Sequence, residues 1–270
     1  MLFRKNALTG EPVIYAPGRA ARPRAFGEDV ADRCPFCPGH ESDTPPEIAR
    51  AGEPWRVRVF PNKYPPVDGA EVIVESPRHG ETFEAIAHAE DVVRTYVERY
   101  RAHVDAAYVS VFKNEGARAG ASIPHVHSQV VPLPFVPPRI QRELAGFAGA
   151  CPLCAPVGHV IREAPSYVWL APHASAFAYQ SWIVPKLHVA EMTAFDALDE
   201  LASLLGDAAR ALGTLGAYNW AFMNFPRANA HAYIDLYPRL AAIAGLELGT
   251  GTFVEIIDPA AAARRLGETA

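Results

Sequence analysis

The sequence predicts an α+β protein built by duplicating one unit, each copy carrying short strands and one long helix. Three observations predict it. The order C-x-x-C, strand ending in His, helix, strand, loop, H-x-(H or Y) runs twice along the chain. Short segments of alternating apolar and polar residues, bounded by Pro and Gly, read as half-buried strands. Two longer stretches repeat apolar residues at intervals of three and four, the stripe of an amphipathic helix.

The first copy opens with Cys34-Pro-Phe-Cys37 and a proline-rich loop. Alternating strands follow at 56–60 and 71–75, the second running into Ser76-Pro77-Arg78-His79. Phe83, Ile86, Val93, Tyr96, Val97, Tyr100 and Val104 then share one face of a predicted helix. A strand at 108–112 leads into FKNEGARAGASIPHVHSQVV at 112–131. There a loop of small residues, with Gly116, Gly120 and Ala121, precedes His125, His127 and Gln129. Strand side chains return to one face every second residue, so these three are predicted to project together, with Val126 and Ser128 turned away. Glycines let backbone N–H groups approach an anion closely, and imidazoles beside such a loop point to phosphoryl chemistry.

Cys151-Pro-Leu-Cys154 starts the programme again. Strands at 167–170 and 182–184 end in Pro185-Lys186-Leu187-His188. Leu198, Leu201, Leu205, Ala208, Leu212 and Leu215 mark the second helix, followed by a strand at 220–224 and His231-Ala232-Tyr233. Loop-length changes readily absorb the small differences in spacing between the copies. The join falls in PLPFVPPR at 132–139, whose prolines suit an extended connector. The predicted division is 1–137, a catalytic half, and 138–270, a half for scaffold and recognition.

Composition narrows the function. The 270 residues, half of them hydrophobic, suffice for one large or two small domains. A formal charge of −5 argues against nucleic acid as the partner. No stretch approaches the roughly 20 apolar residues of a membrane span, and MLFRKNALTGEP lacks the apolar run of a signal peptide. A cytoplasmic protein with no membrane partner is expected.

The four cysteines fall in the two C-P-x-C pairs. Such a pair alone also fits a glutaredoxin-type redox site, but no thioredoxin-like βαβ order surrounds either one. Each copy instead offers two thiolates and two imidazoles: Cys34, Cys37, His79 and His125, then Cys151, Cys154, His188 and His231. Four protein ligands close a tetrahedral site, so each ion is expected to be structural, with zinc favoured and iron the alternative at one site. Metal bound in this way contributes about 10–16 kcal/mol of folding energy in small zinc domains. His79 or His188 taken singly would pass for an ordinary strand-end histidine. Recurrence in both copies decides for ligation.

His127 lies outside the ligand set. One ring nitrogen donating to a carbonyl would leave the other as a nucleophile toward phosphorus, splitting one hard displacement into two easier ones. Gln129 can donate to a phosphoryl oxygen, and Asn114, Gly116 and Ser122 can cradle the rest. In the second copy Tyr233 takes the place of this nucleophile and no glycine-rich loop precedes it, so one active site per chain is expected.

These residues resemble the galactose-1-phosphate uridylyltransferases of the histidine-triad superfamily and their ADP-glucose phosphate adenylyltransferase relatives. The resemblance covers nearly the whole chain. It rests on RKNALTGE at 4–11, CPFCPGHE at 34–41, PNKYP at 61–65, ESPRH at 75–79 and FKNEG…GAS…HVHSQ at 112–129. In the second half it rests on CPLC at 151–154, VPKLHV at 184–189, HAYIDLYPRL at 231–240 and GLELGTG at 245–251. It implies a duplicated histidine-triad-like fold, two antiparallel-sheet halves each with a long helix. It also implies that His127 is the nucleotidylated nucleophile, with Gln129, Ser122 and Asn114 on the phosphates. Asn62 and Tyr64 match positions lining the nucleoside pocket, and Glu247 matches a carboxylate that holds sugar hydroxyls. Family members look dimeric, and Arg19 and Arg22 match an arm that reaches phosphate in a partner subunit.

The implied reaction moves a nucleoside monophosphate from a nucleotide sugar to a sugar phosphate or another phosphorylated acceptor. The UDP-glucose–hexose-1-phosphate uridylyltransferases provide the pattern. The alternatives are an ADP-glucose phosphate adenylyltransferase, a histidine-triad nucleotide hydrolase and a non-catalytic zinc-stabilised nucleotide-binding module. HVHSQ stands where uridylyltransferases have HPHGQ, and Phe253 stands near a glutamine of galactose-specific members. The first form is closer to the adenylyl-transferring relatives, and both departures count against galactose and uridine while leaving the chemistry untouched.

Overall fold

A computed structural model describes residues 2–21, 34–226 and 228–270. In chain order the strands and helices are β1 (Leu2–Lys5), β2 (Pro12–Tyr15), β3 (Ala49–Ala51), β4 (Val57–Pro61), β5 (Glu71–Val74), α1 (Ala89–Ala102), β6 (Tyr108–Glu115), β7 (His127–Leu133), α2 (Pro138–Leu144), β8 (Gly158–Glu163), β9 (Tyr167–Pro172), β10 (Ser181–Pro185), α3 (Leu198–Gly213), β11 (Tyr218–Met223), β12 (Tyr233–Pro238), α4 (Gly245–Thr250) and α5 (Pro259–Gly267). The strands expected from alternation all form, and the short elements β1, β2, β3, β8, α2, α4 and α5 join them.

The two sheet halves are not separate. One ten-stranded sheet runs β3-β4-β5-β7-β6-β11-β12-β10-β9-β8, every neighbouring pair antiparallel. The order reads the same outward from its centre, so each half contributes five strands and the halves meet where β6 pairs β11, with Phe112 opposite Ala221 and Asn114 opposite Asn219. Fusing the halves removes two exposed strand edges and leaves only β3 and β8 as edges of the large sheet. β1 and β2 form a separate hairpin.

Helices α1 and α3 pack together on one face of this sheet. Their apolar stripes, Val93, Tyr96 and Tyr100 on α1 and Leu201, Leu205, Ala208 and Leu212 on α3, enter one core with Ile73, Val111, Trp169 and Trp220. Glu90 and Asp91 in the first turn of α1, and Arg99 and Arg101 in its last, complement the helix dipole. The first helix is shorter than its apolar spacing predicted. Phe83 sits on a separate 3-10 turn, Phe83–Ala85, and α1 begins only at Ala89. His88 accounts for the break, because its ring is held by the carbonyl oxygens of Glu75 (2.9 Å) and Arg56 (3.1 Å) just before the helix. Phe83 and Ile86 still reach the same core.

The opposite face of the sheet carries the polar residues singled out in the sequence. Cross-strand pairs share a face, so Val72, Gln129, Phe112 and Ala221 line up across four strands, and Asn114 and Asn219 stand beside them. Val126 and Ser128 are turned away as predicted, Val126 into the core and Ser128 onto Tyr96 of α1. Among the described residues no helix is long and apolar enough to cross a membrane.

Candidate active site and metal centres

The eight predicted ligands gather into two clusters whose donor atoms lie within 4.8 Å of one another. In the first, Cys34 Sγ and Cys37 Sγ stand 3.5 Å and 3.7 Å from Nδ1 of His125, and Cys37 Sγ stands 3.5 Å from Nδ1 of His79. In the second, Cys151 and Cys154 lie 3.5 Å and 3.8 Å from Nδ1 of His231, and Cys154 lies 3.1 Å from Nδ1 of His188. A tetrahedral zinc with metal–sulfur bonds of about 2.3 Å and metal–nitrogen bonds of about 2.0–2.1 Å has sulfur–nitrogen edges of about 3.5 Å. Both clusters fit such an ion.

The outer contacts agree. Nε2 of His125 donates to the Ser76 carbonyl at 2.7 Å, and Nε2 of His231 donates to that of Pro185 at 2.8 Å. A carbonyl only accepts, so in each ring Nδ1 holds the lone pair and faces the sulfurs. Burial pushes the Cys34 thiol up to about 11, and a nearby cation is what would draw off that proton. The first cluster is the more enclosed. Cys34 and His125 are buried, whereas Cys154 and His188 are exposed.

β7 begins at His127, two residues later than the sequence suggested, and His125 lies before it. His127 is 5% exposed, and its Nδ1 is 2.7 Å from the carbonyl oxygen of His125. That contact requires the proton on Nδ1 and leaves Nε2 as the nitrogen with the lone pair. A single residue, His125, thus offers its ring to one cluster and its backbone oxygen to the next histidine. The ring of Phe36, from inside the first C-x-x-C, packs edge-on against His127 at 5.3 Å.

Directly behind β7 lies a buried charged network. Lys113 Nζ reaches Glu75 Oε2 (2.6 Å), Glu115 Oε2 (3.3 Å) and the carbonyl oxygen of His127 (3.4 Å). Glu75 also accepts from the hydroxyls of Tyr96 and Ser128. Burial alone would lower the Lys113 ammonium, yet the two carboxylates beside it hold it above its ordinary value. Burial, and then the Glu75 charge, push the Tyr96 phenol well up.

A cavity of about 450 Å³ opens over His127 and Gln129. Ser122, Asn62 and Tyr64 line it as expected, together with Phe36, Phe60 and Ile123. Asn62 turns its own loop, its Oδ1 accepting from the Tyr64 N–H at 2.9 Å. The Tyr64 carbonyl accepts from Arg19 at 2.7 Å, so this arginine of the N-terminal arm meets its own chain; Arg22 lies outside the described residues. Sequence reasoning missed Phe36, Thr44, Lys63 and Ile123, which also line the cavity. Phe36, Lys63 and Ile123 stood inside stretches singled out in the sequence, while Thr44 carried no signal.

Three expected residues lie elsewhere. Asn114 lines an adjoining pocket of about 360 Å³ with Asn219, Tyr237 and Arg239. Gly116, at φ 83°, lies against the second half, where a Cβ would come 3.0 Å from that of Ala217. Only glycine takes this bend without strain. Glu247 sits on α4, where its side chain accepts from the Ala244 N–H at 3.1 Å, and it does not line the His127 cavity. In the second half, Tyr233 and Asp235 stand where the duplication puts the counterparts of His127 and Gln129. Arg139 from α2 donates to both Asp235 and Tyr233, and Gln180 and Trp182 also donate to Asp235. A guanidinium thus lies on the second half's equivalent of the His127 face, with a tyrosine in place of the histidine.

The fused pair of α+β halves, with a cavity over a histidine whose tautomer is set by its neighbour's carbonyl, has the arrangement of a nucleotidyltransferase. Comparison with known proteins narrows the class. Residues 63–137 match the model of the galactose-1-phosphate uridyl transferase N-terminal domain. The chain is 30% identical to ADP-glucose phosphorylase of Arabidopsis thaliana over 98% of its own length and 92% of that protein's. It is 25% identical to galactose-1-phosphate uridylyltransferase of Thermotoga maritima over 100% and 98%. The crystal structure of the Arabidopsis enzyme with bound ADP-glucose superposes with a TM-score of 0.82, covering 100% of this chain and 98% of that one at 29% identity. The chain belongs to the galactose-1-phosphate uridylyltransferase family, which includes the ADP-glucose phosphorylases.

Proposed function

We propose that the chain transfers a nucleoside monophosphate from a nucleotide sugar to a phosphorylated acceptor in two displacements at His127. Nε2 attacks the α-phosphorus, the bond to the bridging oxygen breaks, and hexose 1-phosphate leaves. An acceptor phosphate oxygen then attacks the same phosphorus and frees the imidazole. The observation that carries this reading is the contact from His127 Nδ1 to the His125 carbonyl, which holds the tautomer a phosphorus nucleophile needs and stabilises the cationic ring of the intermediate. Gln129 and Ser122, on the cavity wall, are the proposed donors to the phosphoryl oxygens, with Asn114 and the N–H groups around Gly116 completing the set. Asn62 and Tyr64 are assigned to the nucleoside.

ADP-glucose with inorganic phosphate as acceptor is the favoured pair, supported by the similarity to the Arabidopsis phosphorylase, by HVHSQ and by Phe253. UDP-glucose with galactose 1-phosphate is the second reading, supported by the match of residues 63–137. Residues 1–137 form the proposed catalytic half and 138–270 the half for scaffold and sugar recognition. Zinc is the proposed ion in both clusters, where it would fix the ligands' strands and loops and take no part in the displacement. Unpaired cysteines used as ligands suit a reducing, cytoplasmic setting. The proposed assembly is a homodimer in which Glu247 of one subunit meets the sugar held by the other.

Incubation with α-labelled ADP-glucose or UDP-glucose should leave acid-labile label on His127, with ping-pong kinetics in the presence of acceptor. His127→Asn should abolish both labelling and turnover and still bind nucleotide. Release of free nucleoside monophosphate at full rate without acceptor would instead identify a hydrolase. Turnover by His127→Asn at the wild-type rate would refute the scheme.

A further inference from the structure

One side chain of the second half reaches the anion loop of the first. Asn219 on β11 stands opposite Asn114 on β6, on the sheet face that carries His127 and Gln129. Its Nδ2 lies 2.7 Å from Oδ1 of Asn114 and 2.9 Å from the carbonyl oxygen of Ala119. A backbone carbonyl can only accept, so the Ala119 contact determines which end of the Asn219 amide is nitrogen. A nitrogen facing Asn114 then requires that Asn114 answer with its oxygen. The NH2 group of Asn114 is thereby turned away from Asn219.

The same contact holds the turn Ala117–Ala119 at the centre of the glycine-rich loop. Two others support it from the same side. Gly116 leans on Ala217, and Arg118 donates to the Leu240 carbonyl at 3.3 Å. All three partners belong to the half that has no nucleophile.

We infer that Asn219 is a positioning residue, which fixes the amide of Asn114 so that it presents N–H groups, and not a lone pair, to the substrate's phosphates. The inference rests on the nucleotidyl-transfer reading for its consequence and on hydrogen-bond directionality for its cause. An unconstrained amide can turn either way, and its oxygen facing a phosphate oxygen is repulsive. The second half therefore completes the catalytic half by orienting one of its side chains.

Asn219→Asp tests this, since a carboxylate has the same shape and no donor. Asn114 must then turn its NH2 to residue 219 and its oxygen to the substrate. The rate of His127 labelling by α-labelled ADP-glucose or UDP-glucose should fall about 10- to 100-fold. In an Asn114→Ala background only the part of the loss that comes from the Ala119 contact should remain, so Asn219→Asp should cost clearly less there than in the wild-type chain. Losses that multiply would mark a direct charge effect or a general structural one and overturn the inference. A second readout is independent of turnover. In spectra of 15N-asparagine-labelled protein, Asn219→Asp should shift the Asn114 side-chain pair downfield and slow its exchange. An unchanged Asn114 pair overturns the inference. A wild-type chain that labels with no nucleotide sugar sinks the nucleotidyl-transfer reading alone.

Discussion

At the scale of single residues, His127 is held by neighbours on both faces of β7. In front, the His125 carbonyl sets its tautomer; behind, Lys113 bridges its carbonyl oxygen to Glu75. Lys113 and Glu75 both have fully buried side chains, so each neutralises a charge that would be costly to leave alone. Lys113→Met leaves Glu75 with hydroxyl donors and no cation, and should cost about 3–5 kcal/mol in urea unfolding. Adding Glu75→Gln should recover a large part of that loss, because the buried charge is then gone. Two losses that simply add would deny the coupling. Metal binding is also decided residue by residue. With Cys154 and His188 exposed and Cys34 and His125 buried, a chelator should strip the second cluster first. Metal analysis after graded chelation checks the order, and loss of both ions in step would contradict it.

At the scale of elements, α1 is tied to β5 by more than packing. Glu71 accepts from Arg99 at 2.8 and 2.6 Å and from His103 at 2.7 Å. Burial alone would raise the Glu71 carboxyl, but the His103 and Arg99 contacts outweigh it and hold it below the usual carboxylate range. A depressed carboxyl contributes stability that is full above its unfolded value and is lost as pH falls through the folded one. Unfolding free energy should therefore drop on acidification below the ordinary glutamate value of about 4.3. Glu71→Gln should flatten that part of the profile and cost about 2 kcal/mol near neutrality; an unaltered acid limb would show that other carboxyls dominate. These ties also explain what the sequence could and could not reveal. The Cys and His sets were legible because ligand chemistry is specific and each set recurs. The stripe of α3 was legible because nothing interrupts it, whereas α1 begins late, just after His88, whose contacts to the backbone of Arg56 and Glu75 periodicity does not encode. Alternation told which residues share a face of β6, but it is silent on which distant strand pairs there. The sheet fusion, and with it Asn219, stayed hidden. β8 is mostly exposed and so carries no alternation to read.

At the scale of the whole molecule, the duplication builds two similar faces on one sheet, and of the two equivalent positions only the first carries a histidine, His127. The second face has Tyr233 at that position, with Arg139 among Asp235, Tyr233 and Tyr237. Within one chain, the residue proposed for the sugar stands apart from the cavity. Glu247 does not line the His127 cavity of its own chain, and its segment exposes Ile243, Leu246, Leu248, Val254 and Ile256. An apolar stretch of this kind is costly in water and suits burial against a second copy. A two-fold dimer would then give each cavity His127 from one subunit and Glu247 from the other. His127→Asn and Glu247→Ala should each be inactive or nearly so as pure proteins. After unfolding and refolding an equal mixture, half the dimers are hybrids, and each hybrid has one cavity with both residues intact. About a quarter of wild-type turnover should return. Recovery should follow subunit exchange in time and be absent when the two proteins are mixed without exchange. A mixture that stays inactive while hybrids are demonstrably present would mean that Glu247 serves its own chain or none.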